Sequence, residues 1–388
     1  MLLIKNANVM TMCGPMQECC DILIDEGKIA KIGKELTAEK DAVVIDATGL
    51  LATPGLIDAH CHMGMLDTGS DYNLYACNEA SDPILPQLRA VDGYDPRSKS
   101  LKTALMGGVT TIATGPGSGN IIGGQFAIFK TAGGTIEKSL VKAPAAMKAA
   151  FGQNPMRFYG EMQKRAPYTR MGVASQMREF LTAAQNYAKA KAENAEGQKP
   201  AYNEKYEAML PVLRGELPMK IHAHRVDDME TACRLCEEFG LRFTLDHCTQ
   251  GHIDPAAIAG KPEGVIVGPY IYVADKQEVE DISFTTAAAL HKQGMKVAIA
   301  SDWPILPMEL FPMQAGLSVR DGLSEDDVWR MITINPAEIL GISDRVGTIE
   351  VGKDADIVLF SGNPLRQVGV YAHTTIINGQ IVYSADKE

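Results

Sequence analysis

The chain of 388 residues is 46% hydrophobic, which is enough to bury one large barrel with additions or two ordinary domains. Its formal net charge of −11 argues against a nucleic-acid partner, because no cluster of lysine and arginine with interleaved aromatic residues offsets the acidity. No apolar run approaches the roughly 18 residues of a membrane span. We therefore expect a soluble protein that binds neither nucleic acid nor membrane.

The eight cysteines are typical of reduced thiols, because they form no compact disulfide framework. Cys233 and Cys236 have CxxC spacing, but they lie in a strongly helical stretch with no second pair, which favours a helix face over a zinc or redox site. No basic segment followed by an apolar run indicates a secretion signal. We expect a cytoplasmic protein, and a homo-oligomer is compatible with the sequence.

The two ends of the chain share one pattern, and the middle has another. Short β-type runs between turn residues occupy 1–53 and return at 346–388, which predicts one small β-sandwich built from both ends. In 54–345, apolar runs alternate with helical segments, as in βα units. Eight units favour an α/β fold with a closed (β/α)8, TIM-like barrel. Its strands are predicted at 56–62, 108–114, 125–131, 145–151, 218–223, 242–247, 264–268 and 296–301.

Two segments interrupt the repeating units. Residues 153–215 are too long for an ordinary loop and rich in alanine, lysine and glutamate, which predicts a helical insertion that either caps the barrel mouth or decorates its surface. Residues 115–125 are glycine-rich but match neither the P-loop nor the GxGxxG pattern. We interpret them as a βα loop at the barrel rim rather than a nucleotide site.

Metal-ligand residue types follow four of the predicted strands: His60 and His62, His222, His247, and Asp302. Parallel strands of a barrel end at one rim, so these side chains should converge. Period-two spacing directs both His60 and His62 to the barrel interior. Imidazole nitrogens and a carboxylate suit Zn²⁺ and similar divalent ions, and a site with an open position can activate water.

On these residues and the motifs around them, the chain resembles the amidohydrolase superfamily, most closely the imidazolonepropionase-like amidohydrolases. The resemblance covers nearly the whole length. It implies a barrel that holds one or two metal ions and hydrolyses a C–N bond of a small-molecule amide, peptide-like compound or cyclic amide. The motifs that carry it lie at 53–62, 107–112, 220–225, 245–249, 300–304, 335–341 and 352–358.

The resemblance also implies roles for the strand-end residues. His60 and His62 would bind a first metal ion, and His222 and His247 would join them from strands five and six. Asp302 would be both a ligand and the general base that later acts as acid. The ion would be Zn²⁺, with Mn²⁺ and Fe²⁺ as alternatives.

Binuclear members of the superfamily bridge their metals with a carboxylated lysine, and Lys148 occupies the predicted fourth strand. Burial beside cations lowers the pKa of an amine, which favours the neutral form that reacts with carbon dioxide. Lys130, on the predicted third strand, is the competing candidate. A third interpretation is that Lys148 only extends along a strand edge to reach water.

Further residues near the predicted strand ends are candidates for binding substrate. His224 should share the inward face of His222, either as a substrate or proton-transfer group or as a hydrogen-bond partner of other site residues. His224 or His247 could stabilise a developing oxyanion. Arginine and tyrosine side chains after strands four and five could bind a substrate carboxylate or, alternatively, the protein's own acids. These are Arg157, Tyr159, Arg170 and Arg225.

Two other functions stay open at this point. By the resemblance, mononuclear deaminases of a heterocycle would have the motif HxxE on strand five, whereas this chain has Arg225 in the fourth position. Imidazolonepropionases would have HAE there, whereas this chain has His224 in the third position. A catalytically inactive amidohydrolase-like scaffold is the other alternative. Such relatives typically lack ligands, whereas the ligand set here is complete.

Overall fold

The computed structural model describes residues 1–66, 74–194 and 198–387, whose strands form two eight-stranded sheets. One sheet comes from the two chain ends and the other forms the barrel. In chain order, the strands are β1 (Leu2–Val9), β2 (Gln17–Asp25), β3 (Lys28–Gly33), β4 (Val43–Asp46), β5 (Leu51–Pro54), β6 (Leu56–Cys61), β7 (Val109–Thr114), β8 (Ile122–Lys130), β9 (Leu140–Ala150), β10 (Met219–Ala223), β11 (Phe243–His247), β12 (Gly264–Val267), β13 (Val297–Ile299), β14 (Ile357–Phe360), β15 (Ala372–Ile377) and β16 (Gln380–Ser384).

Helices cover the outside of the barrel and fill the insertion. The α-helices are α1 (Ala90–Gly93), α2 (Leu101–Met106), α3 (Ile136–Ser139), α4 (Gln153–Met156), α5 (Arg170–Glu193), α6 (Glu204–Leu213), α7 (Val226–Phe239), α8 (Thr286–Lys292), α9 (Phe311–Arg320), α10 (Glu325–Met331) and α11 (Ile334–Ile339). A π-helical turn spans Arg157–Glu161, and 3₁₀ turns span Leu74–Cys77, Pro255–Ala257, Gln277–Val279, Met308–Leu310 and Ala385–Lys387. None of the helices in the described ranges has the length and apolar composition needed to cross a bilayer.

The barrel sheet runs β13-β12-β11-β10-β9-β8-β7-β6, so its strands follow chain order. Each of the eight predicted strands overlaps one of them. Backbone hydrogen bonds bring the two edges together, from the His62 amide to the Trp303 carbonyl at 2.9 Å and from the Asp302 amide to the His60 carbonyl at 3.1 Å. The α/β class and the TIM-like barrel are therefore confirmed.

The expectation of eight repeated βα units is wrong at strand β8. This strand runs antiparallel to both β7 and β9, with Thr111 opposite Lys130 and Gly124 opposite Lys148. Residues 115–121 consequently connect two strands rather than a strand and a helix. Because β8 is reversed, Lys130 lies near the beginning of β7, at the end of the barrel away from the rim where β7 terminates.

Strands from both chain ends join in one sheet. Its path is β16-β15-β14-β5-β1-β2-β3, with β4 paired to β1, and the link between the ends is the antiparallel pair β5 and β14. Alternating apolar residues such as Ile4, Ile22 and Ile357 are buried in a core that belongs to this sheet. The hydrogen bonds trace a single sheet, so a sandwich of two facing layers stays a prediction.

The insertion at 153–215 is helical, as its composition predicts. Thr169 caps α5 by accepting a hydrogen bond from the Gly172 amide at 3.1 Å, and Asn203 caps α6 by accepting one from the Tyr206 amide at 3.2 Å. Helix α5 packs against α6 and α7 on the outside of the barrel, whereas α4 and the π-helical turn lie at the mouth. The segment therefore both decorates the surface and covers part of the rim.

Candidate active site

His60, at the end of β6, is held by a buried carboxylate. Its Nδ1 lies 2.6 Å from Asp246 Oδ2, and Asp246 also accepts a hydrogen bond from Lys220 at 3.2 Å. An imidazole that donates through Nδ1 leaves the Nε2 lone pair available to a metal ion, and the carboxylate fixes the orientation of the ring. Burial and the nearby charge of Lys148 lower the pKa of His60 well below its usual value, so the ring is neutral.

Backbone carbonyls orient two further histidines in the same way. His62 Nδ1 lies 2.8 Å from the Gly115 carbonyl, and His247 Nδ1 lies 2.9 Å from the Gly268 carbonyl. A carbonyl can only accept, so both rings carry a proton on Nδ1, and in the neutral form they present an unprotonated Nε2. These histidines therefore have the tautomer that a divalent ion requires.

Asp302 completes a first group of potential ligands. One of its oxygens, Oδ1, lies 3.6 Å from His60 Nε2 and 3.4 Å from His62 Nε2. Burial raises the pKa of Asp302, but the neighbouring rings of His247 and His62 outweigh this effect and lower the pKa below its usual value. The three side chains could hold a metal ion.

A second group lies across the same rim. Ligand atoms of His222, His224 and Glu278 all lie within 4.8 Å of one another, and all three side chains are buried. Burial lowers the pKa of both histidines well below the usual value. The ring of His247 joins the two groups, with its centroid 4.8 Å from that of His60 and 4.5 Å from that of His222.

Lys148, on β9, is fully buried, and its amine has no hydrogen-bond partner in the described part of the chain. The closest carboxylate is Asp246, with Oδ2 4.0 Å from Nζ. Burial lowers the pKa of Lys148 to about 8, which increases the neutral fraction at physiological pH. Its charge contributes to the lowered pKa of both His60 and His222.

Lys130 lies elsewhere. Its Nζ donates to Asp356 Oδ2 at 2.5 Å and lies 3.2 Å from Asp354 Oδ2, in the segment that leads into β14. The reversal of β8 is the reason, because it carries Lys130 away from the rim. The competing assignment of Lys130 as a bridging ligand is therefore wrong.

The predicted substrate-binding side chains mostly bind the protein's own groups. Arg170 donates to both oxygens of Asp228 at 3.0 Å, and Arg225 pairs with Asp227 at 2.9 Å. Tyr159 is buried and donates to main-chain carbonyls at 2.8–3.0 Å. None of these three side chains lines the cavity at the barrel mouth, whereas Arg157 does.

Two of the predicted ligands have an unusual backbone conformation. His247 has φ of +71° and Asp302 has φ of +49°, in the left-handed region that non-glycine residues adopt at a cost. His247 pairs in register with Ala223, out of phase with His222, yet its ring contacts that of His222. Strand alternation alone would turn the His247 side chain outward. Its left-handed backbone at the end of β11 coincides with a ring that points inward, toward His222.

A cavity of about 460 Å³ opens above these residues. His62, His222, His224 and Asp302 form part of its wall. The loop at 115–121 contributes Gly117–Gly119, so the glycine-rich segment lies at the rim as predicted, although it connects two strands. Loops after β12 and β13 and the first turns of the insertion supply most of the remainder, together with Cys77, Asn78 and Thr249.

Several residues of the site were not identified from the sequence. Asp246 and Lys220 support His60, Glu278 joins the second group, and Asn154 links His222 to Lys276. Asp246 adjoins His247 in a recognisable motif, so its position was a usable signal. Asn154 and Glu278 lie on connecting segments with no motif, and only the fold brings them together.

The residues present fit a divalent metal ion. His60 Nε2, His222 Nδ1 and Lys148 Nζ are buried without hydrogen-bond partners among the described residues, although a buried polar atom normally has one. Burial lowers the pKa of His60, His222, His224 and His247, which favours the neutral ring. The surrounding donor set is nitrogen and carboxylate oxygen, which Zn²⁺ and similar ions prefer. Fold and site together define a class: barrel proteins with a metal-type ligand set at the rim.

Comparison with known proteins narrows this class. The amidohydrolase family model matches residues 219–382. The solved structure of an amidohydrolase from Thermotoga maritima MSB8 has 38% sequence identity and a TM-score of 0.93, over 99% of this chain and all of that one. Amidohydrolase tasK from Hapsidospora irregularis is 29% identical over 375 residues, and an imidazolonepropionase from Sphingopyxis alaskensis is 25% identical over 398 residues.

The extent of these matches differs. The imidazolonepropionase match covers 94% of this chain and 92% of that protein, whereas the tasK match covers 89% of this chain but 38% of tasK. The chain belongs to the amidohydrolase superfamily and is imidazolonepropionase-like, which confirms the resemblance seen in the motifs. The predicted class of enzyme, a hydrolase of C–N bonds, agrees with this family.

Proposed function

We propose that this protein is a metal-dependent amidohydrolase that hydrolyses a C–N bond of an amide, a peptide-like compound or a cyclic amide. The observation that carries the proposal is the arrangement at the rim: two ligand groups face one cavity, and the unpaired amine of Lys148 is buried 4.0 Å from Asp246, the carboxylate that holds His60.

The first metal ion would be held by His60, His62 and Asp302. The second would be held by His222, together with His247 and a carboxylated Lys148. A divalent ion there, Zn²⁺ with Mn²⁺ or Fe²⁺ as alternatives, would polarise the substrate carbonyl and lower the pKa of a water molecule towards about 7.

Asp302 is suited to proton transfer because its lowered pKa keeps it ionised. It accepts a proton from the attacking water as the C–O bond forms, and delivers the proton to the nitrogen as the C–N bond breaks. His224 is better placed than His247 to stabilise the oxyanion. His247 uses its proton on the Gly268 carbonyl, whereas His224 Nδ1 can accept from the Thr249 hydroxyl at 2.7 Å and keep an Nε2 proton for the substrate.

One observation favours the alternative of a mononuclear deaminase. Glu278 Oε1 lies 3.9 Å from His224 Nε2 and could supply the carboxylate that strand five lacks. The Lys276 ammonium, however, pairs with that oxygen at 2.9 Å. Deamination therefore ranks second, and the complete ligand set argues against an inactive scaffold.

Metal content tests the proposal. We expect about two equivalents of metal in protein purified with bicarbonate and without chelator, about one in Lys148→Ala, and almost none in a double variant with His60→Ala and His62→Ala. The measurement is elemental analysis, accompanied by hydrolysis assays on amides and assays for ammonia release. His291→Ala serves as a matched control, because this histidine lies on α8, its side chain is 40% exposed and it belongs to neither ligand group.

The outcomes separate the alternatives. One equivalent that does not respond to Lys148→Ala would remove the lysine bridge and favour the deaminase. Unchanged metal content in the double histidine variant would show that the predicted rim does not bind the metal.

A further inference from the structure

One wall of the cavity carries a buried ammonium group. The Lys276 side chain is 10% exposed and lines the cavity. Its Nζ donates to Asn154 Oδ1 at 2.7 Å and pairs with Glu278 Oε1 at 2.9 Å. An ammonium group has three protons, so one donor is left after these two contacts.

Arg157 lies on the same wall. It follows Asn154 by three residues in consecutive helical turns, and side chains at that spacing share a face. Asn154 contacts Lys276, and the side chains of Arg157 and Lys276 both line this cavity. Among the described residues, the guanidinium of Arg157 has no hydrogen-bond or ion-pair partner, unlike those of Arg170 and Arg225.

The acids around this wall are already engaged or exposed. Glu278 is shared by Lys276 and by Arg170, whose NH2 lies 3.7 Å from Glu278 Oε2. Asp275 also lines the cavity, but it is exposed, so water and salt screen its charge. The wall therefore offers two cationic donors with capacity to bind an anion.

The same wall is connected to the ligand groups. Asn154 uses its amide to contact His222 Nε2 at 3.3 Å and its oxygen to hold Lys276. A substrate whose amide carbonyl lies at the ligand groups would consequently direct a group next to the amide toward this wall.

We infer that Arg157 and Lys276 bind the carboxylate of the substrate, which assigns the substrate to amides that carry a free carboxylate close to the scissile C–N bond, such as N-acyl amino acids. Arg157 offers two parallel N–H donors to the carboxylate and Lys276 its remaining proton. This inference rests on the proposed function and specifies its substrate class.

Binding of matched compounds tests the inference. The probes are N-acetylglycine, N-acetylleucine and N-acetylproline, each paired with an analogue in which a methyl group replaces the carboxylate. We expect metal-loaded protein to bind the acids at least about tenfold more tightly than the analogues, since hydrogen bonds to charged groups have this magnitude. Calorimetry gives Kd, and steady-state kinetics give KM where a probe is hydrolysed.

Three variants locate the effect. Arg157→Leu and Lys276→Met should each weaken binding of the acids about tenfold and leave binding of the neutral analogues unchanged. Arg157 is exposed, so its replacement keeps the test valid even where Lys276→Met disturbs Glu278. Arg234→Leu removes an exposed arginine of α7 and should have no effect.

The inference is wrong if acids and neutral analogues bind equally, if no acid binds, or if Arg157→Leu changes nothing. In each of these cases the proposed function still stands, provided that the protein binds metal at His60 and His62 and hydrolyses neutral amides. Loss of metal binding would instead refute the proposed function itself.

Discussion

Asp302 combines an ionised carboxylate, a left-handed backbone and direct proximity to two imidazoles. We expect Asp302→Asn to lower kcat by about 10²–10⁴-fold, because the amide cannot accept the proton of the attacking water. Asparagine has nearly the same shape and also tolerates positive φ, so the unfolding midpoint should hardly change. Steady-state kinetics and thermal unfolding on the same preparation check this. Substantial retained activity would remove Asp302 from proton transfer.

At the scale of single residues, the sequence predicts the site wherever a side chain ends a strand. His60, His222 and His247 meet for this reason. Glu278 and Lys276 lie in the loop after β12, whose path depends on tertiary packing rather than on a local pattern. Such loop residues become visible only when the barrel brings distant segments together.

Among the elements, strand β8 shows that hydrophobic periodicity does not predict the direction of a strand. Alternation of apolar residues predicts a buried strand, but it is the same for either direction of the chain. The predicted strands at 108–114 and 125–131 leave 115–124 between them, which is the lower limit for a crossover with a helix. The structure shortens this connection to 115–121, and the reversed strand carries Lys130 away from the rim.

Helix α7 gives a prediction about its cysteines. Cys233 and Cys236 are buried in the core between barrel and helices, and burial raises the pKa of Cys233 to about 11. The thiolate is the reactive form, so both thiols should resist alkylation in the native protein, while the exposed Cys13 and Cys19 react. Iodoacetamide labelling followed by mass spectrometry measures this. Rapid native labelling of the α7 pair would instead indicate an accessible redox or metal motif.

For the whole molecule, the contact between the barrel and the terminal sheet depends on a buried ionic cluster. Lys130 pairs with Asp354 and Asp356, and its side chain is 2% exposed. Lys130→Met should destabilise the protein by about 3 kcal/mol, because it leaves a buried carboxylate without its cation. Denaturant unfolding measures the change, and Arg178→Leu, which removes an exposed pair with Glu238, serves as the control.

Two further readouts accompany this variant. Burial raises the pKa of Asp354, but Lys130 and the neighbouring cations outweigh this effect and lower the pKa below its usual value. The stabilisation that these ion pairs give is therefore present above the unfolded pKa of about 3.9 and is lost as the pH falls through the lowered folded pKa. Lys130→Met should therefore begin acid unfolding at a higher pH than wild type. Metal content should be unchanged, and a loss of metal from folded Lys130→Met would contradict the placement of this lysine.

The pairing of β5 with β14 affects how the chain can be made. Strand β5 immediately precedes the barrel, whereas its partner leaves the ribosome only after the whole barrel has been synthesised. The edge of β5 consequently waits exposed during translation and depends on the last segment for cover. A nascent chain stalled inside the barrel would leave this edge exposed until β14 emerges and pairs with it.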